Sequence, residues 1–168
     1  MCGFAGFVSF LGNQGLLDQM VAQLRHRGPD GSGTFLDGNV GLAHTRLSIL
    51  DLSEHGHQPM QDSSGEYVLV FNGEIYNHLN IRQAIESKYP FDSHSDTQTL
   101  LYALIEFGPQ VLERLNGIFA FAFYHRPTKY LLLERDQLGV KPLYHYQHQD
   151  EILFSSELKA FLCWPTFD

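Results

Sequence analysis

The longest apolar stretch of the chain is IFAFAFY, residues 118–124. Its aromatic and β-branched composition predicts a buried β-strand. The stretch is well short of the roughly 18 residues that a membrane-spanning helix requires. A second apolar run at residues 130–134 follows the turn-forming segment Arg126-Pro127-Thr128-Lys129, which separates the two runs as a hairpin turn would. The sequence therefore places a β-hairpin at this point of the fold.

Other segments complete the predicted pattern. Further strands are predicted from apolar runs at residues 3–10, 40–49, 67–71, 143–147 and 152–154, and helices from apolar spacing at 16–24, 81–85 and 100–115. The third helix is predicted to begin at Ser95-Asp96-Thr97, whose oxygens can cap free N–H groups, and to break at Gly108-Pro109. Helices lie between early strands and hairpins dominate later, which indicates an α+β sandwich.

Length and composition limit the class of protein. The chain has 168 residues, of which 43% are hydrophobic, so we expect a single domain over residues 2–168. Its 19 acidic and 11 basic side chains give a net charge of −8, which disfavours nucleic acid and membrane surfaces as partners. Only two cysteines are present and no signal peptide can be identified. Both features predict a cytoplasmic protein.

Cys2 is the first candidate for a catalytic residue. Removal of Met1 would leave Cys2 with both a thiol and a free α-amine. An α-amine has an ordinary pKa of roughly 7.7–8.0, which suits a general base at neutral pH. This is the pattern of an N-terminal nucleophile, in which the amine accepts the proton of the attacking side chain. The alternative is that Cys2 is a small buried hydrophobic residue ahead of a strand.

Five other residues complete a hypothetical site for an amino-acid amide. Asn72 and Gly73 follow the predicted strand 67–71, where a side-chain amide and a backbone N–H can stabilise an oxyanion, although Asn-Gly also forms hairpin turns. Arg46 can bind a carboxylate, while Glu74 and Asp96 can bind an ammonium group. The alternatives are a surface ion pair for Arg46 and a helix cap for Asp96.

Metal and nucleotide sites are not expected. The nine histidines lack the spacing and the accompanying ligands of known metal motifs. The chain also lacks a Gly-x-x-x-x-Gly-Lys-Ser/Thr loop and a Ser-Gly-Gly-x-Asp-Ser pyrophosphate loop. We therefore predict that the protein uses no cofactor.

Nine collinear motifs extend the pattern over essentially the whole chain. They are CGFAG (2–6), RHRGPD (25–30), HTRLSI (44–49), QPM (58–60), NGEIYN (72–77), SDT (95–97), NGIFAF (116–121), RDQLGVKPLY (135–144) and FSSELKA (154–160). With these motifs the sequence resembles the glutaminase domain of class II glutamine amidotransferases. The last two favour the asparagine synthetase type within that family.

The resemblance implies a four-layer αββα sandwich of the N-terminal nucleophile hydrolase type and an enzyme that hydrolyses glutamine. Cys2 would attack the side-chain amide, and Asn72 with Gly73 would form the oxyanion hole. Glu74 and Asp96 would bind the substrate ammonium group. The resemblance also implies a carboxylate site made by Arg46, Leu47, Ser48, Ile49 and Leu50, and a mobile loop made by Arg25, His26, Arg27, Gly28, Pro29 and Asp30.

The resemblance also predicts partners. A complete asparagine synthetase carries a further ATP-using domain that accepts the ammonia, and this sequence ends where the connection to it would begin. L-Glutamine is therefore the expected substrate, an ammonia-accepting synthetase or ligase chain the expected partner, and a homo-oligomer is possible. The alternatives are a glutamine-binding regulatory module, a truncated asparagine synthetase fragment, and an N-terminal nucleophile hydrolase acting on another amide.

Overall fold

The computed structural model describes residues 1–47 and 56–167, which form two antiparallel β-sheets flanked by helices. The first sheet has the strand order β2-β3-β1-β9-β8, and the second has the order β4-β5-β6-β7. The strands are β1 (Gly3–Val8), β2 (Gly31–Asp37), β3 (Val40–Arg46), β4 (Met60–Gln61), β5 (Tyr67–Ile75), β6 (Gly117–His125), β7 (Tyr130–Arg135), β8 (Tyr144–His148) and β9 (Glu151–Ser155). The α-helices are α1 (Gln14–Leu24), α2 (His78–Ile85) and α3 (Asp96–Phe107), and 3-10 helices span Gly108–Arg114 and Leu158–Cys163.

Three hydrophobic cores separate four layers. The first core joins α1 and the 3-10 helix Leu158–Cys163 to the outer face of the first sheet. The second joins α2 and α3 to the outer face of the second sheet. The third lies between the two sheets, where side chains of β1, β3 and β9 meet side chains of β5 and β6. The predicted four-layer αββα sandwich is therefore confirmed.

Strand β6 shows how one sequence supplies two of these cores. Phe119, Phe121 and Phe123 face the helices, whereas Ala120 and Ala122 face the other sheet. This division follows from the two-residue period of a strand, since successive side chains point to opposite faces. Large side chains thus fill the space beneath the helices, and small ones leave room for the first sheet to approach.

The helix boundaries follow local signals. Ser95 caps α3, and its side-chain oxygen accepts a hydrogen bond from the backbone N–H of Gln98. Gly108 ends the same helix with a positive φ of 60°, a conformation that favours glycine. The predicted start and end of α3 are therefore confirmed, and the residues beyond Gly108 continue as a 3-10 helix.

Several strand boundaries differ from the predictions. Strand β2 (Gly31–Asp37) was not predicted, because Gly-Ser-Gly at its start has low strand propensity. Strand β5 continues to Ile75 rather than ending at Phe71, because Asn72 and Gly73 keep their pairing with β6. Strand β1 ends at Val8 and β3 at Arg46, each earlier than predicted. Within residues 1–47 and 56–167, no helix is long and apolar enough to cross a membrane.

Candidate active site

Polar side chains replace apolar ones at one end of the gap between the sheets. Along β1, β3 and β5, the side chains of Phe4, Leu42 and Val70 belong to the core between the sheets. Counting by two residues, backward along β1 and forward along β3 and β5, keeps the same face of each strand. The side chains reached in this way are Cys2, His44 with Arg46, and Asn72 with Glu74. The two-residue period that directs apolar side chains into the core therefore also directs the candidate site residues to the end of the gap.

A pocket of about 140 Å³ opens at this end of the gap. A cavity of roughly 150 Å³ can hold a molecule the size of benzene, so the pocket suits a small ligand. Its lining includes the predicted site residues Cys2, Arg46, Leu47, Asn72, Gly73, Glu74 and Asp96. The remaining members of the predicted carboxylate site, Ser48, Ile49 and Leu50, lie outside the described residues.

The backbone of Leu47 and the side chain of Arg27 hold Cys2. The N–H of Leu47 donates to Sγ of Cys2 at 3.3 Å, and the same thiol lies 3.6 Å from the carbonyl oxygen of Leu47. On the other side, Nε of Arg27 donates to the carbonyl oxygen of Cys2 at 3.0 Å. Met1 is in place, is more than half exposed and lines the pocket. The sulfur of Cys2 is thus fixed at the pocket wall, with Met1 beside it.

Asn72 presents a buried donor at the pocket. The residue is only 2% exposed, and its side-chain Nδ2 has no hydrogen-bond partner among the described residues. Buried polar groups nearly always have a partner, so an open donor at a pocket indicates a place for a ligand acceptor. Asn72 and Gly73 both lie inside β5 and pair with β6, which rules out the hairpin-turn alternative.

The backbone N–H of Gly73 points to the same side as two bound neighbours. In an antiparallel strand, every second residue directs its N–H and C=O to one edge. The N–H of Phe71 donates to Oε1 of Gln58 at 2.6 Å, and the N–H of Ile75 donates to Oδ2 of Asp96 at 2.9 Å. The N–H of Gly73 lies between them and is directed to that edge, where Gly73 lines the pocket.

The predicted charged residues lie in different environments. Arg46 is 8% exposed and lines the pocket, so its side chain is buried rather than at the surface. Asp96 is 4% exposed and is not the helix cap, because Ser95 has that role. Burial raises the pKa of Asp96 in spite of the hydrogen bond from Ile75, so a cation bound nearby would stabilise its charged form. Glu74 is exposed at the mouth of the pocket.

The predicted mobile loop, residues 25–30, packs beside Cys2 and against β3. A Cβ atom on Gly28 would lie 2.3 Å from the carbonyl carbon of Thr45, so only glycine permits this approach. Pro29 forms a bridge with Arg46, and the N–H of Asp30 donates to the carbonyl oxygen of Arg46 at 3.0 Å. Arg25 directly follows the end of α1. The mobility of this loop stays a prediction.

Glu157 anchors the loop from the other end of the sequence. Arg27 Nη1 and His26 Nε2 each lie 2.9 Å from Oε1 of Glu157, and Lys159 Nζ lies 3.3 Å from its Oε2. Burial alone would raise the pKa of Glu157, but the hydrogen bonds from these three side chains lower it to about 2. Because Arg27 also holds the carbonyl oxygen of Cys2, this cluster connects Glu157 to the candidate nucleophile.

Sequence reasoning did not place several of the lining residues in the site. Gln58, Phe71, Ser95, Thr97 and Lys141 also border the pocket. Gln58 belongs to the QPM motif at residues 58–60, and the motif was the only signal that pointed to it. In the described part of the chain, no group of three or more His, Cys, Asp or Glu side chains could hold a metal ion.

Comparisons with known proteins agree with this arrangement. The model of the family described as "Glutamine amidotransferase domain" matches residues 1–168. Asparagine synthetase [glutamine-hydrolyzing] 1 of Bacillus subtilis (strain 168) is 37% identical over 96% of this chain and 27% of its own length. Asparagine synthetase B [glutamine-hydrolyzing] of Escherichia coli (strain K12) is 42% identical over 83% of this chain and 25% of its own length.

A solved structure shares the fold. The glutamine phosphoribosylpyrophosphate amidotransferase of Bacillus subtilis, complexed with ADP and GMP, superimposes with a TM-score of 0.81 at 21% identity. The match covers 96% of this chain and 43% of that one. The chain thus spans about a quarter of the length of the curated relatives it matches.

Proposed function

We propose that this chain, which belongs to the glutamine amidotransferase domain family, hydrolyses the side-chain amide of glutamine to glutamate and ammonia. One observation carries the proposal. A fixed thiol, Cys2, shares a small pocket with Asn72, whose buried Nδ2 has no partner among the described residues. A nucleophile and an open donor in one pocket are the two requirements for attack on an amide carbonyl.

The first half of the reaction uses Cys2 and β5. Removal of Met1 frees the α-amine of Cys2, which accepts the thiol proton as Sγ attacks the amide carbon of glutamine. Nδ2 of Asn72 and the N–H of Gly73 donate to the oxyanion that forms on the carbonyl oxygen. When the tetrahedral intermediate collapses, the C–N bond breaks and the α-ammonium group returns its proton to the leaving nitrogen. Ammonia departs and a thioester on Cys2 remains.

Water completes the turnover. The α-amine of Cys2 takes a proton from a water molecule, whose oxygen attacks the thioester carbon. The C–S bond then breaks, the thiol recovers its proton, and glutamate is released. The same two donors stabilise this second oxyanion, so one oxyanion hole serves both steps.

Charged residues account for the choice of a free amino acid. Arg46, together with the backbone of Leu47 and the segment that follows it, would bind the α-carboxylate of glutamine. Asp96 and Glu74 would bind the α-ammonium group, and the raised pKa of the buried Asp96 supports a cationic partner. An amide substrate without these two charges would make neither contact, so it should bind more weakly.

The ammonia that glutamine hydrolysis would release requires an acceptor on a partner chain or domain. The two curated relatives named above are asparagine synthetases several times longer than this chain, which supports a synthetase or other amidating ligase as the partner. We also place the protein in the cytoplasm, and its two free cysteines, Cys2 and Cys163, support a reducing compartment.

The test begins with the intact mass of the mature protein. We expect a mass without Met1, a single covalent adduct on Cys2 from a glutamine-analogue chloroketone, and glutamine hydrolysis that Cys2→Ala abolishes. Cys163→Ala is the matched control and should keep full activity, because Cys163 lies in the 3-10 helix Leu158–Cys163, away from the pocket. Retention of Met1 would contradict the proposal, and glutamine binding without turnover would instead indicate a regulatory module.

A further inference from the structure

Strand β5 is held at one edge in two different ways. At its beginning, Val68 and Leu69 pair with the backbone of β4. Strand β4 contains only Met60 and Gln61, so the edge from Phe71 onward has no backbone partner among the strands described. Side chains from distant parts of the chain take its place there.

Phe71 is bound at both of its backbone groups. Its N–H donates to Oε1 of Gln58 at 2.6 Å, and its carbonyl oxygen accepts from Nε2 of His44 at 3.2 Å. Both side chains are buried, with Gln58 7% exposed and His44 fully enclosed. The N–H belongs to the peptide unit that precedes Phe71 and the carbonyl oxygen to the unit that follows it, so the two buried bonds fix the planes of both units and hold the backbone of Phe71 from either side.

Phe71 immediately precedes the two proposed oxyanion donors. A rotation at Phe71 would turn the peptide that leads into Asn72 and would change the direction of the Gly73 N–H two residues further on. On the far side, Oδ2 of Asp96 holds the N–H of Ile75. On that edge, the segment with the donors Asn72 and Gly73 is therefore held by side-chain hydrogen bonds at Phe71 and Ile75. It has no neighbouring strand there among those described.

We propose that Gln58 is a positioning residue for the oxyanion hole, acting through its hydrogen bond to the N–H of Phe71. This inference rests on the proposed function, and it adds a role for a residue outside the nucleophile, the donors and the charged groups that bind substrate. Displacement of a reacting group by about 1 Å can cost 10²-fold in rate. Loss of the Gln58 bond should therefore act on turnover more than on substrate binding.

The test uses two substitutions at position 58. Gln58→Met keeps the length of the side chain but removes the acceptor, whereas Gln58→Glu keeps an acceptor oxygen for Phe71. We expect Gln58→Met to lower kcat for glutamine hydrolysis between about tenfold and a hundredfold, with KM changed less than about twofold. Gln58→Glu should recover most of kcat at neutral pH.

A matched control is available at Gln98. This residue is 6% exposed, and its Oε1 accepts from the N–H groups of Asp92 and Ser93 at 3.2 and 2.9 Å, outside the pocket. Gln98→Met removes three side-chain hydrogen bonds, against one for Gln58→Met, from a similarly buried position. We expect it to lower the melting temperature at least as much as Gln58→Met does, without the loss of kcat.

Two covalent probes separate positioning from general damage. A glutamine-analogue chloroketone passes through an oxyanion when Cys2 adds to its carbonyl, whereas iodoacetamide alkylates the thiol by displacing iodide and forms no oxyanion. Gln58→Met should slow labelling of Cys2 by the chloroketone and leave labelling by iodoacetamide unchanged, as measured on the Cys2 peptide by mass spectrometry.

The outcomes are distinct from those that test the proposed function. If the wild-type protein shows no Cys2-dependent hydrolysis, the proposed function fails. If the wild-type protein hydrolyses glutamine and Gln58→Met keeps its kcat, the positioning role is wrong. It is also wrong if KM rises as much as kcat falls, if Gln58→Glu fails to recover kcat, or if both probes slow equally.

Discussion

The two ends of the gap between the sheets are built from the same strands but treat polar groups in opposite ways. At one end, the hydroxyl of Tyr124 donates to Asp37, which also binds Lys129 at 2.8 Å and lies 3.7 Å from Arg126. Each polar group there has a partner. At the other end, Nδ2 of Asn72 and Nδ1 of His44 are buried without one among the described residues.

The end with paired polar groups therefore contributes to stability, whereas the end with unpaired groups is suited to binding a ligand. The closed end gains from its hydrogen bonds, because a satisfied buried group costs little. The open end carries the desolvation cost of its unpaired groups, and a ligand can recover that cost by supplying acceptors. Substitutions at the two ends should therefore have opposite effects, and the following predictions test that contrast.

The largest effect is expected at the open end. Asn72→Leu removes a proposed oxyanion donor and should lower kcat about 10²- to 10³-fold. The same change replaces an unpaired buried amide by an apolar side chain of similar size, so the free energy of unfolding should stay the same or increase. Glutamine hydrolysis and urea denaturation of the same preparation measure both quantities. A large loss of stability would show that the amide has a structural partner.

Leu42→Ala, in the apolar part of β3, should have the reverse effect of Asn72→Leu: a loss of stability with little change in activity. Leu42 is fully buried between the sheets, and truncating such a side chain costs about 3 kcal/mol of unfolding free energy. We expect kcat and KM of the folded protein to change less than about twofold at a temperature well below the unfolding transition. A loss of kcat as large as that of Asn72→Leu would mean that the two ends of the gap are mechanically coupled.

Protonation of His44 should destabilise the open end as the pH falls. Burial lowers the pKa of His44 from 6.5 to about 3. Below pH 6.5 the unfolded chain therefore binds a proton that the folded chain does not, and stability decreases as the pH falls from 6.5 toward 3. At pH 5 the loss from this group is about 2 kcal/mol.

His44→Gln isolates that contribution. Glutamine keeps an N–H donor for the carbonyl oxygen of Phe71 but does not titrate. We expect the variant to lose less stability than the wild type between pH 7.5 and pH 5, as measured by urea denaturation at both values. Identical pH profiles for the two proteins would show that His44 does not contribute. Glu157, whose pKa is lowered to about 2, contributes a separate loss only below about pH 4.5.

The smallest effect is expected at the closed end. Tyr124→Phe removes one hydrogen bond to Asp37, which keeps its contact with Lys129, so the cost should be about 1 kcal/mol. Hydrolysis of glutamine should be unaffected. Thermal melting and a standard activity assay are sufficient, and a change in KM would contradict the separation of the two ends.

Much of the architecture could be predicted because it depends on local periodicity. The Phe and Ala alternation of residues 118–124 identifies a strand with two buried faces, and the caps of α3 fix its start. Strand β2 escaped prediction because its Gly-Ser-Gly start has little strand propensity, and its place is secured by pairing with β3 along its whole length. Local signals do not report such tertiary pairing.

The residues of the candidate site also fall into those that could be predicted from the sequence and those that could not. Cys2, Asn72 and Asp96 could be proposed because their side chains have a recognisable chemistry. Gln58 could not, since its importance arises from one hydrogen bond to Phe71, thirteen residues away across the edge of β5. The Asn72-Gly73 pair was assigned to the end of a strand, although it lies within one, because the pairing of β5 with β6 overrides the turn preference of Asn-Gly.

Ala120 and Ala122 have no functional group, yet their position between the sheets bears on the proposed chemistry. Cys2 precedes a strand of the first sheet, and Asn72 lies on a strand of the second. The proposed nucleophile and the proposed oxyanion donor therefore come from different sheets, so their separation depends on the thickness of the gap. Because the alanine side chains of β6 are small, the two sheets can stack closely, and larger side chains at these positions would move the two proposed groups apart.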